Sequence, residues 1–291
     1  MPSLVSPEAV ACTRAGGGFS DYKRRAVNVW RAPATGDPIL AATLRDMGRF
    51  AAGVWVLFLH GTPGGITLGR LSELLVLAGI SGRGRARSVL IYLRFIGYIE
   101  PDPSPGDGRV KRFRPAARMT HAFRDRYRRE FEAAGPLDPC FGAALDRLDD
   151  DLFFGVFMTA LGELSLAGLP LLVEGGPSLN TVSHRFGGMV LVAELVALAD
   201  TGGAAFPPVG RMTYSLAALS RTCGLSRTQA RRILQAGSEG GFLELTGEGE
   251  LMLTPLLAEH VALLVTFSFH MFQWACQKAL ATPTPPAAAA A

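Results

Sequence analysis

The residues of this 291-residue chain with the greatest chemical reach are arginines, and they gather in three places. Arg83, Arg85 and Arg87, with Ser88 and Tyr92, follow Ser81; Arg109, Lys111, Arg112 and Arg114 follow Asp107; Arg227, Arg231 and Arg232, with Thr228 and Gln235, follow Ser226. A guanidinium presents a rigid fork of donors that fits phosphate oxygens and guanine edges, and Ser, Thr and Gln add hydrogen bonds to base edges. The chemistry on offer is recognition of a polyanion. Catalysis is not expected: His60, His121, His184, His260 and His270 show no metal-ligand spacing, and no nucleophile motif appears. The run from Gly61 to Gly65 lacks the Lys-Ser/Thr of a phosphate loop, and His260 and His270 share an apolar stretch as core or interface residues would. No cofactor and no metal are expected.

Charge is unevenly spread. The chain carries a net +4, yet thirteen basic residues face four acidic ones between Ser81 and Arg129, so the remainder is net negative. Only Lys23, Lys111 and Lys278 are lysines. A GC-rich genome would produce the same arginine excess, whereas the local concentration points to an acidic partner.

The elements that must position these residues form an internal repeat. Leu71, Leu74, Gly79, Ser81, Ala86, Val89, Leu90 and Gly97 match Leu216, Leu219, Gly224, Ser226, Ala230, Ile233, Leu234 and Gly241, at an offset of 145 that falls to 144 after Ser81. In each repeat a short apolar-faced helix ends at a glycine, a serine caps the next helix, and that helix turns Ala, Val/Ile and Leu inward at i, i+3 and i+4. Its other face is free. Short β-type runs follow, Tyr98-Ile99 with Val110 to Phe113 and Phe242 to Leu245 with Leu251 to Leu253. Helix, turn, helix and hairpin in this order make a winged helix, whose second helix enters a major groove.

The first hairpin carries Asp107-Gly108-Arg109 at its tip, and here the chain resembles the MarR family of bacterial regulators. The resemblance spans Leu68 to Thr120 and Leu216 to Thr254. It implies that Asp107 braces Arg109 and that Arg109 enters a minor groove. MarR proteins carry one such module per chain and pair through flanking helices; two modules in one chain suggest a fused pseudo-dimer. The second hairpin departs further, with Glu248 and Glu250 where cations would be needed.

The expected fold is therefore mainly α with small β-hairpin wings: tandem winged helix-turn-helix domains joined and flanked by apolar helices. Its parts are a flexible arm (1–36), a first winged helix (37–136), a helical connector (137–184), a second winged helix (185–281) and a disordered tail (282–291). Flanking helices are expected over 39–60, 119–133, 141–169, 189–199 and 256–280. The apolar stretch from Leu152 to Val173 reaches spanning length but is broken by glycines, and that from Val261 to Cys276 is too short to span. Both read as buried or interface helices, so no membrane partner is expected. Cys12, Cys140, Cys223 and Cys276 lack paired spacing, and no signal-peptide pattern opens the chain, which suits a reducing cytoplasm. The expected function is sequence-specific binding of double-stranded DNA in transcription regulation, with the first module as main reader, a homodimer formed through the apolar helices, and a protein partner open to the second module. Two other readings stay open: a protein-interaction subunit of chromosome organisation, and a plasmid-type replication initiator.

Overall fold

Ser226 shows how the sequence sets an element. Its backbone is extended, its hydroxyl accepts the Gln229 N–H at 3.2 Å, and the Gln229 side chain accepts the Ser226 N–H at 3.1 Å, so two donors at a helix start are satisfied reciprocally. Ser226→Ala is expected to cost about 1 kcal/mol, read as a lower denaturant midpoint at unchanged slope.

The computed structural model describes residues 11–14, 16–31, 39, 47–77, 83–103, 110–168, 179, 182, 185–203 and 205–283. In chain order the elements are α1 (Phe19–Arg31), α2 (Met47–His60), β1 (Ile66–Thr67), α3 (Leu68–Leu77), α4 (Arg83–Phe95), β2 (Ile99–Pro101) and β3 (Arg112–Pro115). They continue with α5 (Ala117–Ala134), α6 (Cys140–Arg147), α7 (Asp151–Gly168), α8 (Gly188–Ala199), β4 (Gly210–Thr213), α9 (Leu216–Cys223) and α10 (Arg227–Glu239). The last are β5 (Leu243–Gly247), β6 (Glu250–Leu253) and α11 (Pro255–Leu280). The chain is mainly helical, with two small antiparallel sheets ordered β1-β3-β2 and β4-β6-β5. The succession helix, strand, helix, helix, strand, strand thus occurs twice. Its details repeat as well. Tyr98 N–H returns to Leu93 O at 2.8 Å and Phe242 N–H to Gly237 O at 2.9 Å, each beside a left-handed glycine, Gly97 (φ 72) or Gly241 (φ 75). The short strands β1 and β4, which complete the sheets, lack the alternating length that would mark them in the sequence.

The chain divides into two compact units, one of residues 1–51 and 169–270, the other of 52–168 and 271–291. In the first, α1 packs on α8 with Phe19, Tyr22, Ala26 and Val27 all buried, and the Phe19 and Tyr22 rings meet Phe269. Every residue from Gly188 to Val196 is buried too, including Glu194, whose carboxylate takes Arg31 Nε at 2.5 Å. Arg24 binds Asp200 at 2.9 Å, and Lys23 donates to Phe206 O. Residues 19–31 are therefore an ordered helix and not the flexible arm expected of 1–36; the apolar spacing i, i+3, i+7, i+8 was interrupted by enough charge to obscure it, and those charges are what α8 and its C-terminal turn require. His270 is buried with its ring nitrogen 3.1 Å from Thr13 Oγ1, and the His260 ring meets Phe242, so both histidines are structural in place.

In the other unit, Tyr127 is the centre of an aromatic cluster, its ring 4.9 Å from Phe157 and 5.8 Å from Phe272. Helices α2 and α7 approach closely where Gly162 lies against Phe58; a methyl there would meet the ring at 2.4 Å. The expected single helix over 141–169 is two, because Asp150 accepts the N–H groups of Leu152 and Phe153 and starts α7 afresh. Helices α6 and α7, placed in a separate connector by the sequence, belong to this unit together with the first repeat.

Helix α11 forms where it was expected, over 256–280. At 26 residues it is long and apolar enough to cross a membrane by length and composition, while 44% of its apolar window is buried, as in the core helix of a folded unit. Of the expected tail, residues 284–291 lie outside the described residues.

Candidate nucleic-acid interface

Helix α4 buries Ala86, Val89, Leu90 and Leu93 and turns Arg87, Ser88, Ile91, Arg94 and Phe95 outward. Tyr92 is half-buried, and the Ser88 hydroxyl donates to Gly84 O at 3.1 Å. Beyond the hairpin, Lys111, Arg112 and Arg114 are exposed, and Phe113 between the two arginines is half-buried. The strand register sets Arg114 directly opposite Glu100, and they pair at 2.7 Å. Arg114 is thus paired across the sheet while still half exposed. Arg114→Ala is expected to change duplex affinity by no more than about 1 kcal/mol, as for a surface ion pair, in a titration beside the parent chain.

The other cations of the basic segment sort by element. On α5, Arg124 takes Asp151 at 2.6 Å, Arg128 takes Asp149 at 3.1 Å and Arg126 takes Glu130, while Arg118 donates to Ile96 O at the end of α4. The acidic run Asp149 to Asp151 thus neutralises α5 from outside the segment in which the excess was counted. Among the described residues, Arg87, Arg94, Lys111 and Arg112 have no ion pair and are exposed on α4 or at the start of β3; Arg129 of α5 also has none but is half-buried. Arg94 is not among the residues expected from the sequence, because a recognition helix reads base edges with its N-terminal turns and Arg94 lies in its last. Arg83 and Arg85 lie on α4 with their side chains outside the description, and Asp107 and Arg109 lie wholly outside the described residues, as do Gly79 and Ser81.

No family model, curated protein or solved structure matches this chain.

The second repeat sets its candidates on one helix. Arg227, Thr228, Arg231, Arg232 and Gln235 are all exposed on α10, and Gln235 Nε2 donates to Glu239 Oε1 at 3.2 Å. Burial raises the Tyr214 phenol, a rise opposed by the Arg231 guanidinium within electrostatic reach. The hairpin of β5 and β6 is acidic, with Glu244, Glu248 and Glu250 exposed around an exposed Leu245. No group of three or more His, Cys, Asp or Glu side chains among the described residues is placed to hold a metal.

Proposed function

We infer that the chain is a tandem winged-helix protein, similar to MarR regulators, that binds double-stranded DNA sequence-specifically and acts in the cytoplasm on transcription. The observation that carries this reading is the sorting of charge. On α5, Arg124, Arg126 and Arg128 are neutralised by neighbouring carboxylates, whereas Arg87, Arg94, Lys111 and Arg112, exposed and without an ion pair among the described residues, sit on the second helix of the first repeat and on the returning side of its hairpin. Those are the elements a winged helix lays on a major groove and along its flanking phosphates. The doubled order of elements and the matching helix ends at Gly97 and Gly241 support two such modules.

The first module is the main reader, because the hairpin of the second would bring Glu248 and Glu250 toward phosphates. That same hairpin, with Leu245 amid three glutamates, favours a protein partner for the second module. Titration of the full chain with duplexes recovered from a random pool tests the proposal. Affinity should fall with salt at a log–log slope of about −0.9 per phosphate neutralised, and Arg85→Ala and Arg109→Ala should each cost roughly 1–3 kcal/mol on the preferred duplex. Equal binding of all duplexes, or binding indifferent to salt, would reject it.

A further inference from the structure

The outward face of α4 is not uniformly polar. Arg87, Ile91 and Phe95 follow one another at i, i+4 and i+8, and Ile91 is 60% and Phe95 88% exposed. The second repeat, in the same frame, has Arg231, Gln235 and Glu239 at these positions, with the last two hydrogen-bonded to each other. An isobutyl-sized side chain and a phenyl ring one turn apart in water are costly on a soluble helix and are explained by something that covers them. The cations Arg87 and Arg94 beside them restrict what that is to an anionic partner with an apolar spot.

We propose that Ile91 and Phe95 are specificity-determining residues that pack on thymine C5-methyl groups, so that the first repeat selects a thymine-bearing groove and the second does not. The C5-methyl is the one apolar group that unmodified base pairs display in the major groove, and contact with it distinguishes T·A from every other pair. Side chains four residues apart on a helix are separated by about 6 Å, close to two base steps of about 3.4 Å each, so the two residues address thymines at alternate positions of one strand. Arg87 and Arg94 then fall beside the phosphates of that strand. The consequence is a directional site: apolar readout under one repeat, and Arg231 with Arg232 suited to guanine under the other. The inference rests on the DNA-binding reading above.

The test replaces thymine by deoxyuridine, which deletes only the methyl, position by position in a duplex selected from a random pool by the full chain. The wild-type chain should lose about three- to fourfold in affinity for each methyl in contact, the amount expected for one buried methyl-sized group. Ile91→Ala should bind the thymine duplex more weakly and no longer distinguish uracil at one position, Phe95→Ala likewise at a second, each with an unchanged salt slope. Because both side chains are exposed, neither variant removes core packing. Selective, salt-dependent binding with full tolerance of uracil overturns the methyl readout and leaves the DNA-binding reading standing. Failure to select any duplex overturns both. A concentration-dependent self-association in sedimentation that Ile91→Ala abolishes also overturns the proposal, since a second copy of the chain would then own this face.

Discussion

A chain in which Arg87, Arg94, Lys111 and Arg112 are all alanine is expected to lose about a thousandfold in duplex affinity at moderate salt, taking roughly 1 kcal/mol for each contact. Its log–log salt slope should become shallower by nearly four units, about one for each cation removed, whereas removal of the two cations Arg124 and Arg128 from α5 should leave the slope close to that of the parent and not about two units shallower. The contrast isolates the location of the cations from their number, because Arg124 and Arg128 already face Asp151 and Asp149. Fluorescence anisotropy across a salt series gives both quantities. Equal slope changes per cation removed would mean that charge acts diffusely and that α4 and β3 are not the contact surface.

Glu130→Ala is expected to destabilise the unit containing it by about 3–5 kcal/mol. Glu130 is 2% exposed on the inward face of α5, one turn from Arg126, and the pair closes at 2.5 Å. Arg126 Nη1 already has no hydrogen-bond partner among the described residues, so removing the carboxylate leaves a buried guanidinium without compensation. Arg126→Met combined with Glu130→Leu removes both charges at similar volume and should recover most of the loss. Urea unfolding of the three chains decides the matter: a double variant as unstable as Glu130→Ala would show that packing, and not the unpaired charge, sets the cost.

Much of this was legible in the sequence where a single rule governs a position. Ser226 and Gln229 form the helix start that their types and spacing demand, and Gly97 and Gly241 adopt the left-handed backbone that ends a helix before a strand. What escaped depends on partners distant in the chain. Residues 19–31 read as a charged, unpatterned arm because Glu194 and Asp200, which its arginines meet, lie far downstream. The excess of cations between Ser81 and Arg129 overstated the free positive surface for the same reason, since the carboxylates of Asp149 and Asp151 stand outside that window. Ile91 and Phe95 are not singled out by the sequence; the seating of α4 on its Ala86, Val89 and Leu93 face turns them to solvent.

The pairing of α1 with α8 also bears on how the chain is made. Arg31 and the Glu194 carboxylate that it neutralises are 163 residues apart. At synthesis rates of about 5–20 residues per second, the first helix leaves the ribosome roughly 8–30 s before its counterpart exists. Throughout that interval Phe19, Tyr22 and Val27 have no surface to bury against, and the nascent chain offers them to chaperones. The other unit is completed later still, since Phe272 of its aromatic cluster follows His270, where the first unit ends. Neither unit is a contiguous piece of the polypeptide, so a stop anywhere before His270 would leave neither of them finished, and quality control rather than partial activity is the expected fate of such truncated products.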